Sequence, residues 1–177
     1  MKQIVLTGTG GQGLILAGII LAEAAVLDGK QAIQTQSYGP EARGGASRAE
    51  VIISDEPIDY PKVQKADTLL AMSQEAFNKY GGSIGAEGVL VVDTTFVREL
   101  KETAAQLVAL PITKAAREQL GRDMYANIIA LGAVVGLTQT VSRESLVAAV
   151  LDRVPKGTED KNKRAIDIGF QMAKDAQ

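Results

Sequence analysis

The sequence predicts a single α/β domain over residues 1–177, with a mainly parallel sheet, helices on both faces and a helical C-terminal part. Three observations lead there. A short β-branched and apolar run at the N-terminus stops at a glycine turn and is followed at once by an apolar helix. Further runs of the same kind alternate with helical stretches, the pattern of strand–helix–strand units. No internal repeat, low-complexity stretch or linker divides the chain, whose length allows burial of roughly 70% of its unfolded surface.

The first strand is residues 3–7 (QIVLT), whose near-continuous hydrophobicity suits a strand covered on both faces. After the glycine turn, residues 14–27 (LILAGIILAEAAVL) read as a buried helix that ends near Asp28, with Gly29 as its C-terminal cap. This run is shorter than the roughly 20 residues of a membrane-spanning helix and is interrupted by Glu23. Residues 31–36 (QAIQTQ) form a second strand and complete a βαβ unit. A loop with three glycines and a proline follows. Then comes a strand at residues 48–54 with Ala49, Val51 and Ile53 on one face.

Strands at 68–72 and 89–93 flank a short helix at 74–80 and a glycine turn at Gly81, Gly82 and Gly85. A further strand is expected at 107–112. Beyond it the character is helical: 113–120, 125–137 with Asp123 as N-cap, 142–150, and a terminal helix from about Asp160 with Ala165, Ile168, Gly169 and Met172 on one face. Met72, Met124 and Met172 read as gap-fillers, and Asp93 as either a turn cap or a ligand contact beside Thr94 and Thr95.

Composition removes several chemistries. There is no cysteine, histidine or tryptophan. A Ser-His-Asp or Cys-His nucleophile system, a Cys/His zinc site, a His-ligated haem and an iron–sulfur cluster cannot be built from this chain. Metal or redox chemistry must belong to a partner. With 19 Lys+Arg against 21 Asp+Glu, no basic tail, and only four Tyr and three Phe, a nucleic-acid binder is not expected. The absence of cysteine fits a cytoplasmic protein, and no membrane segment is expected.

Gly8, Gly10, Gly11 and Gly13, with Gln12 between the last two, fit G-x-G-x-x-G in a Rossmann-like setting between strand and helix. Glycines let another backbone or a ligand approach closely, and the following helix presents free N–H groups and a positive dipole end to an anion. A NAD site also needs an acidic residue about 20 positions on. Ile33, Gln34, Thr35 and Gln36 stand there instead. No G-K-[ST] closes the turn, so the Walker A reading fails. The plain alternative is that these glycines only permit tight strand-to-helix packing.

The loop after the second strand, Ser37, Tyr38, Gly39, Pro40, Glu41, Ala42, Arg43, Gly44 and Gly45, gathers a hydroxyl, a phenol, a carboxylate and a guanidinium. Loops at the carboxyl ends of strands stand near one another, where α/β sheets bind ligands. Arg43 can clamp a phosphate or carboxylate, Glu41 can pair it, and Tyr38 can stack or donate. A solvated surface pair is the competing reading.

G-x-G-G-Q-G at 8–13, together with S-Y-G-P-E-A-R-G-G at 37–45, resembles the gamma subunit of the 2-oxoacid:ferredoxin oxidoreductases. The resemblance continues through residues 51–61 (VIISDEPIDYP) and Ala66-Asp67, and it is most like the 2-oxoglutarate branch; pyruvate, branched-chain 2-oxoacid and indolepyruvate relatives share close versions of the loop. It implies the gamma-domain fold of pruvate-type ferredoxin oxidoreductases and an oxidative decarboxylation in which a 2-oxoacid, coenzyme A and oxidised ferredoxin give acyl-CoA, carbon dioxide and reduced ferredoxin. It further implies that thiamine diphosphate with Mg and iron–sulfur clusters sit in other chains. Catalytic alpha and beta subunits, a ferredoxin-like delta subunit and ferredoxin are the candidate partners.

This chain itself is expected to hold no cofactor and to have no catalytic residue or metal ligand. It carries no G-D-G…N thiamine signature. By the resemblance, Gly8, Gly10, Gly11, Gln12, Gly13, Ser37, Tyr38, Gly39, Glu41, Arg43, Gly44 and Gly45 either meet coenzyme A or form the contact with the catalytic subunits. Two rivals stand beside it: a free-standing NAD(P)-binding oxidoreductase using Arg43 or Arg48 for a 2′-phosphate, and a purely structural subunit.

Overall fold

A computed structural model describes residues 1–37 and 45–177. Six strands form one sheet: β1 (Lys2–Thr9), β2 (Gln31–Gln36), β3 (Ala46–Ser54), β4 (Ala66–Ala71), β5 (Ile84–Asp93) and β6 (Gln106–Leu110), in the spatial order β2-β3-β1-β4-β5-β6. β1, β4, β5 and β6 run parallel, as expected for a mainly parallel sheet. β3 is antiparallel to both β1 and β2. The strand–helix–strand unit of β1 and β2 therefore keeps its direction, but β3 sits between its two strands.

Ile4, Val5 and Leu6 are fully buried because β1 has a strand on each side and helices over both faces. One face carries the larger core. There α1 (Leu14–Leu27) lies on β1, β2 and β3, beside α4 (Ala126–Thr138) and α5 (Arg143–Arg153), with α6 (Glu159–Asp175) outside α4. The other face is covered by α2 (Gln74–Tyr80) and the segments around Val63, Val97 and Ala105. A short α3 (Ile112–Ala115) continues as a π-helical turn, Ala116–Leu120.

Residues 126–135 of α4 are all buried, which explains why this helix is apolar around its whole circumference. Its contact with α6 runs through Gly132 and Gly169. A Cβ on Gly132 would lie 2.6 Å from the Ile166 carbonyl oxygen, so the two backbones approach as only glycine allows. At the end of α1, Gly29 adopts φ 77° and donates to the Val26 carbonyl, while Lys30 N–H reaches Ala25, the expected glycine cap.

Several sequence expectations move. Gly85 lies inside β5 rather than in a turn, because Ile84 already pairs with Ala66. The last strand stops at Leu110, and Ile112 opens α3. Asp123 does not cap α4: it begins a 3-10 turn, Asp123–Tyr125, and its carboxylate turns to Arg117. Met124 is 47% exposed, whereas Met72 fills core space as expected. The buried stripe of α6 is Asn162, Ala165, Ile166, Gly169 and Ala173, leaving Ile168 and Met172 half-buried at its margin.

Candidate functional site

The carboxyl ends of β1, β4, β5 and β6 open at one edge of the sheet, where a crevice of about 750 Å³ lies. Its floor is the glycine turn. Gln12 N–H donates to the Thr9 carbonyl at 3.2 Å, with Gly11 at φ 90° in the third position, the requirement of a type II turn. Gly13 follows at φ 76° as the residue before α1. Among the described residues no side chain caps α1, and no acidic residue stands in its first turn. Among them the helix faces the crevice with its first N–H groups and its positive dipole end uncompensated.

Asn127 closes this floor from the first turn of α4. Its Nδ2 donates to the Gly13 carbonyl at 3.2 Å, and its Oδ1 is buried without a hydrogen-bond partner among the described residues. Only 7% of Asn127 is exposed, and it lines the crevice. An orphaned buried acceptor at a cavity wall costs roughly 1–3 kcal/mol until a donor reaches it. In a helix otherwise built from apolar residues and Thr138, Asn127 was the detectable signal, and sequence reasoning passed over it.

The other walls are tied together by side chains. Asp93, fully buried, accepts from Thr95 N–H at 3.0 Å through Oδ1, and from Thr113 N–H at 3.2 Å and the Thr113 hydroxyl at 2.5 Å through Oδ2. It is a cap joining the exit of β5 to α3. Thr95 likewise accepts Lys114 N–H at 2.9 Å. Of this group Thr113 lines the crevice.

The mouth is formed by Phe96, 38% exposed, and Met124, beside Asp123. Arg117 donates to both carboxylate oxygens of Asp123, at 2.6 and 2.9 Å, and sits 5.6 Å over the Phe96 ring. The hydrogen bonds from Arg117 hold the Asp123 carboxyl below its ordinary range and raise the guanidinium.

The structure thus brings Gly10, Gly11, Gln12 and Gly13 into one crevice. Gly8 lies beneath, where a Cβ would collide with the Gln12 side chain and Leu14. Ser37 is exposed and donates its N–H to the Arg48 carbonyl at 3.1 Å, and Gly45 is half-buried. Thr9 pairs with Ala46, so both ends of the 37–45 loop leave from the edge that carries the glycine turn. Tyr38, Gly39, Glu41, Arg43 and Gly44 lie outside the described residues. Arg48 binds Glu50 at 2.7 Å and lies 5.0 Å over Tyr80. Among the described residues no group of three or more carboxylates could hold a metal ion, and no helix is long and apolar enough to cross a membrane.

Residues 3–172 match the family model described as pyruvate ferredoxin/flavodoxin oxidoreductase. The chain is 52% identical to the 2-oxoglutarate synthase subunit KorC of Methanocaldococcus jannaschii, over 98% of this chain and 95% of the relative. It superimposes with a TM-score of 0.91 on the gamma subunit of a keto/oxoacid ferredoxin oxidoreductase from Geobacter sulfurreducens PCA, at 49% identity over 99% of this chain and all of the other. It shares its fold, at a TM-score of 0.90 and 24% identity, with 31% of a chain of the 2-oxoglutarate:ferredoxin oxidoreductase from Magnetococcus marinus, whose structure holds 2-oxoglutarate, coenzyme A and succinyl-CoA; 99% of this chain is covered.

Proposed function

Because the chain belongs to the pyruvate ferredoxin/flavodoxin oxidoreductase family and is the gamma subunit of a 2-oxoglutarate:ferredoxin oxidoreductase, we propose that its crevice binds part of coenzyme A for that complex. The observation that carries this reading is that, among the described residues, the N-terminus of α1 is uncapped and stands beside Asn127 Oδ1, which has no partner there. The free N–H groups of α1 receive phosphate oxygens, and Asn127 Oδ1 accepts a hydrogen bond from an amide or amino donor of the same ligand. The crevice volume lies in the range of ordinary small-molecule and cofactor sites.

The subunit supplies position rather than chemistry. A chain without histidine or cysteine cannot relay protons near neutrality by imidazole or ligate iron–sulfur clusters. On this reading thiamine diphosphate with magnesium and the clusters belong to partner alpha, beta and delta chains, residues 1–177 form one gamma domain, and the complex is cytoplasmic. What the gamma chain contributes is a held thiol carrier whose loss of freedom is met before the acyl transfer.

The test uses the assembled complex. Asn127→Asp sets a carboxylate beside the phosphate site and should raise the KM for coenzyme A by roughly tenfold or more, with 2-oxoglutarate KM unchanged. A wild-type KM for coenzyme A would refute the site. Exposed Phe96 and Met124 on the rim favour a second reading, in which this edge meets the catalytic subunits. Charged substitutions there would then reduce retention of the gamma chain without moving that KM.

A further inference from the structure

Gln12 stands in the crevice floor, yet its carboxamide is directed inward. Oε1 accepts from Thr9 N–H at 2.7 Å, and Nε2 donates to the Met72 carbonyl at 3.0 Å, just beyond the end of β4. The turn it spans has a single long backbone bond of its own, at 3.2 Å, and at Gly11 nothing lies within 4 Å of where a Cβ would be. Gly8 is bare on the side where the Gln12 amide rests.

A second glutamine does the same one strand further on. Gln74 Oε1 accepts from the N–H groups of Arg98, at 2.8 Å, and Glu99, at 2.9 Å, while its Nε2 donates to the Glu99 carbonyl at 2.9 Å. Two carboxamides thereby fasten the exits of β1, β4 and β5 into one frame. Glutamine is the side chain that fits: it carries an acceptor and a donor on a stem long enough to bridge two backbones. Glutamate lacks the donor and asparagine the length.

Building on the coenzyme A reading of the crevice, we infer that Gln12 is a positioning residue: it orders the Gly10-Gly11 peptide units for the ligand and does not itself touch it. Without its two bonds the turn samples the wide conformational range of consecutive glycines, and coenzyme A must order it on binding.

The experiment compares wild type with Gln12→Met, which keeps the stem and removes both bonds, and with Gln12→Ala, each in the assembled complex. Amide hydrogen exchange over residues 8–16 is measured with and without coenzyme A, alongside steady-state kinetics. The expected result is faster exchange of the turn in the ligand-free variants, a KM for coenzyme A raised roughly five- to thirtyfold, and kcat within about twofold of wild type. If coenzyme A gives no protection of the turn in the wild-type complex, the crevice reading fails and the inference with it. If protection is present but the variants show wild-type exchange, or a raised KM with unchanged ligand-free exchange, the positioning role alone is overturned. The second pattern would make Gln12 a direct contact.

Discussion

Gly13 and Asn127 meet across the base of the crevice: the Asn127 amide donates to the Gly13 carbonyl, and a Cβ on Gly13 would lie 2.6 Å from the same Nδ2. One residue thus has two reasons to be glycine, its φ of 76° and the side chain pressed against it.

Gly13→Ala should destabilise the fold by about 1–3 kcal/mol, read as a lower Tm, because left-handed strain and the Asn127 clash add. Gly13→Ala with Asn127→Ala relieves the clash and leaves the strain. The double variant should recover part of the loss, and a double variant no more stable than the single one would show that Asn127 is not the obstacle.

Asp123 places an anion at the crevice mouth while occupying Arg117. In Asp123→Asn the guanidinium is released to the mouth. The KM for coenzyme A should fall by roughly two- to fivefold at low ionic strength, with the gain shrinking as salt rises. Thermal stability should change little, since both side chains are about half exposed. An unchanged KM at low salt would separate this pair from ligand binding.

Asp28 links the end of α1 to the start of α5. Its carboxylate accepts the Ser142 N–H, the Ser142 hydroxyl and the Ser145 hydroxyl, each at 2.6 Å. Burial raises its pKa, but these bonds and the charge of Lys30 outweigh that and bring it below the usual carboxylate value. A carboxyl lowered in the folded state stabilises the fold above its unfolded pKa, near 3.9, and that stability disappears as pH falls through the folded value. Acid unfolding curves should therefore show a contribution below about pH 4 that Asp28→Asn abolishes.

Gly169→Leu should separate α6 from α4. The backbones are too close for any side chain at this point, so the cost should be at least about 2 kcal/mol, and limited proteolysis should begin within α6. A variant with wild-type Tm would mean that the two helices re-pack freely.

The turn and α1 were legible because their signals are local: a buried run, glycines at fixed offsets, an apolar helix and Gly29 at its end. The place of β3 was not, since pairing between β1 and β3 joins residues far apart in sequence and leaves no local mark. Asp123 had the form of an N-cap, an acid just before a helix, but Arg117 at hydrogen-bonding distance won its carboxylate. Asp93 was open between cap and ligand contact, and only the position of Thr113 decides for the cap. The glycine crevice was foreseen, whereas its polar wall at Asn127 was not, because a single asparagine in an apolar helix belongs to no motif and its contact with Gly13 joins positions 114 apart in sequence.

The antiparallel placement of β3 between β1 and β2 has a mechanical consequence. β3 is paired on both sides at once, Ile53 opposite Lys2 of β1 and opposite Ala32 of β2. A slip of β3 by one residue would break both ladders and turn Ala49, Val51 and Ile53 away from the core they share. The strand that leads into the glycine turn is thereby locked in register from its flank.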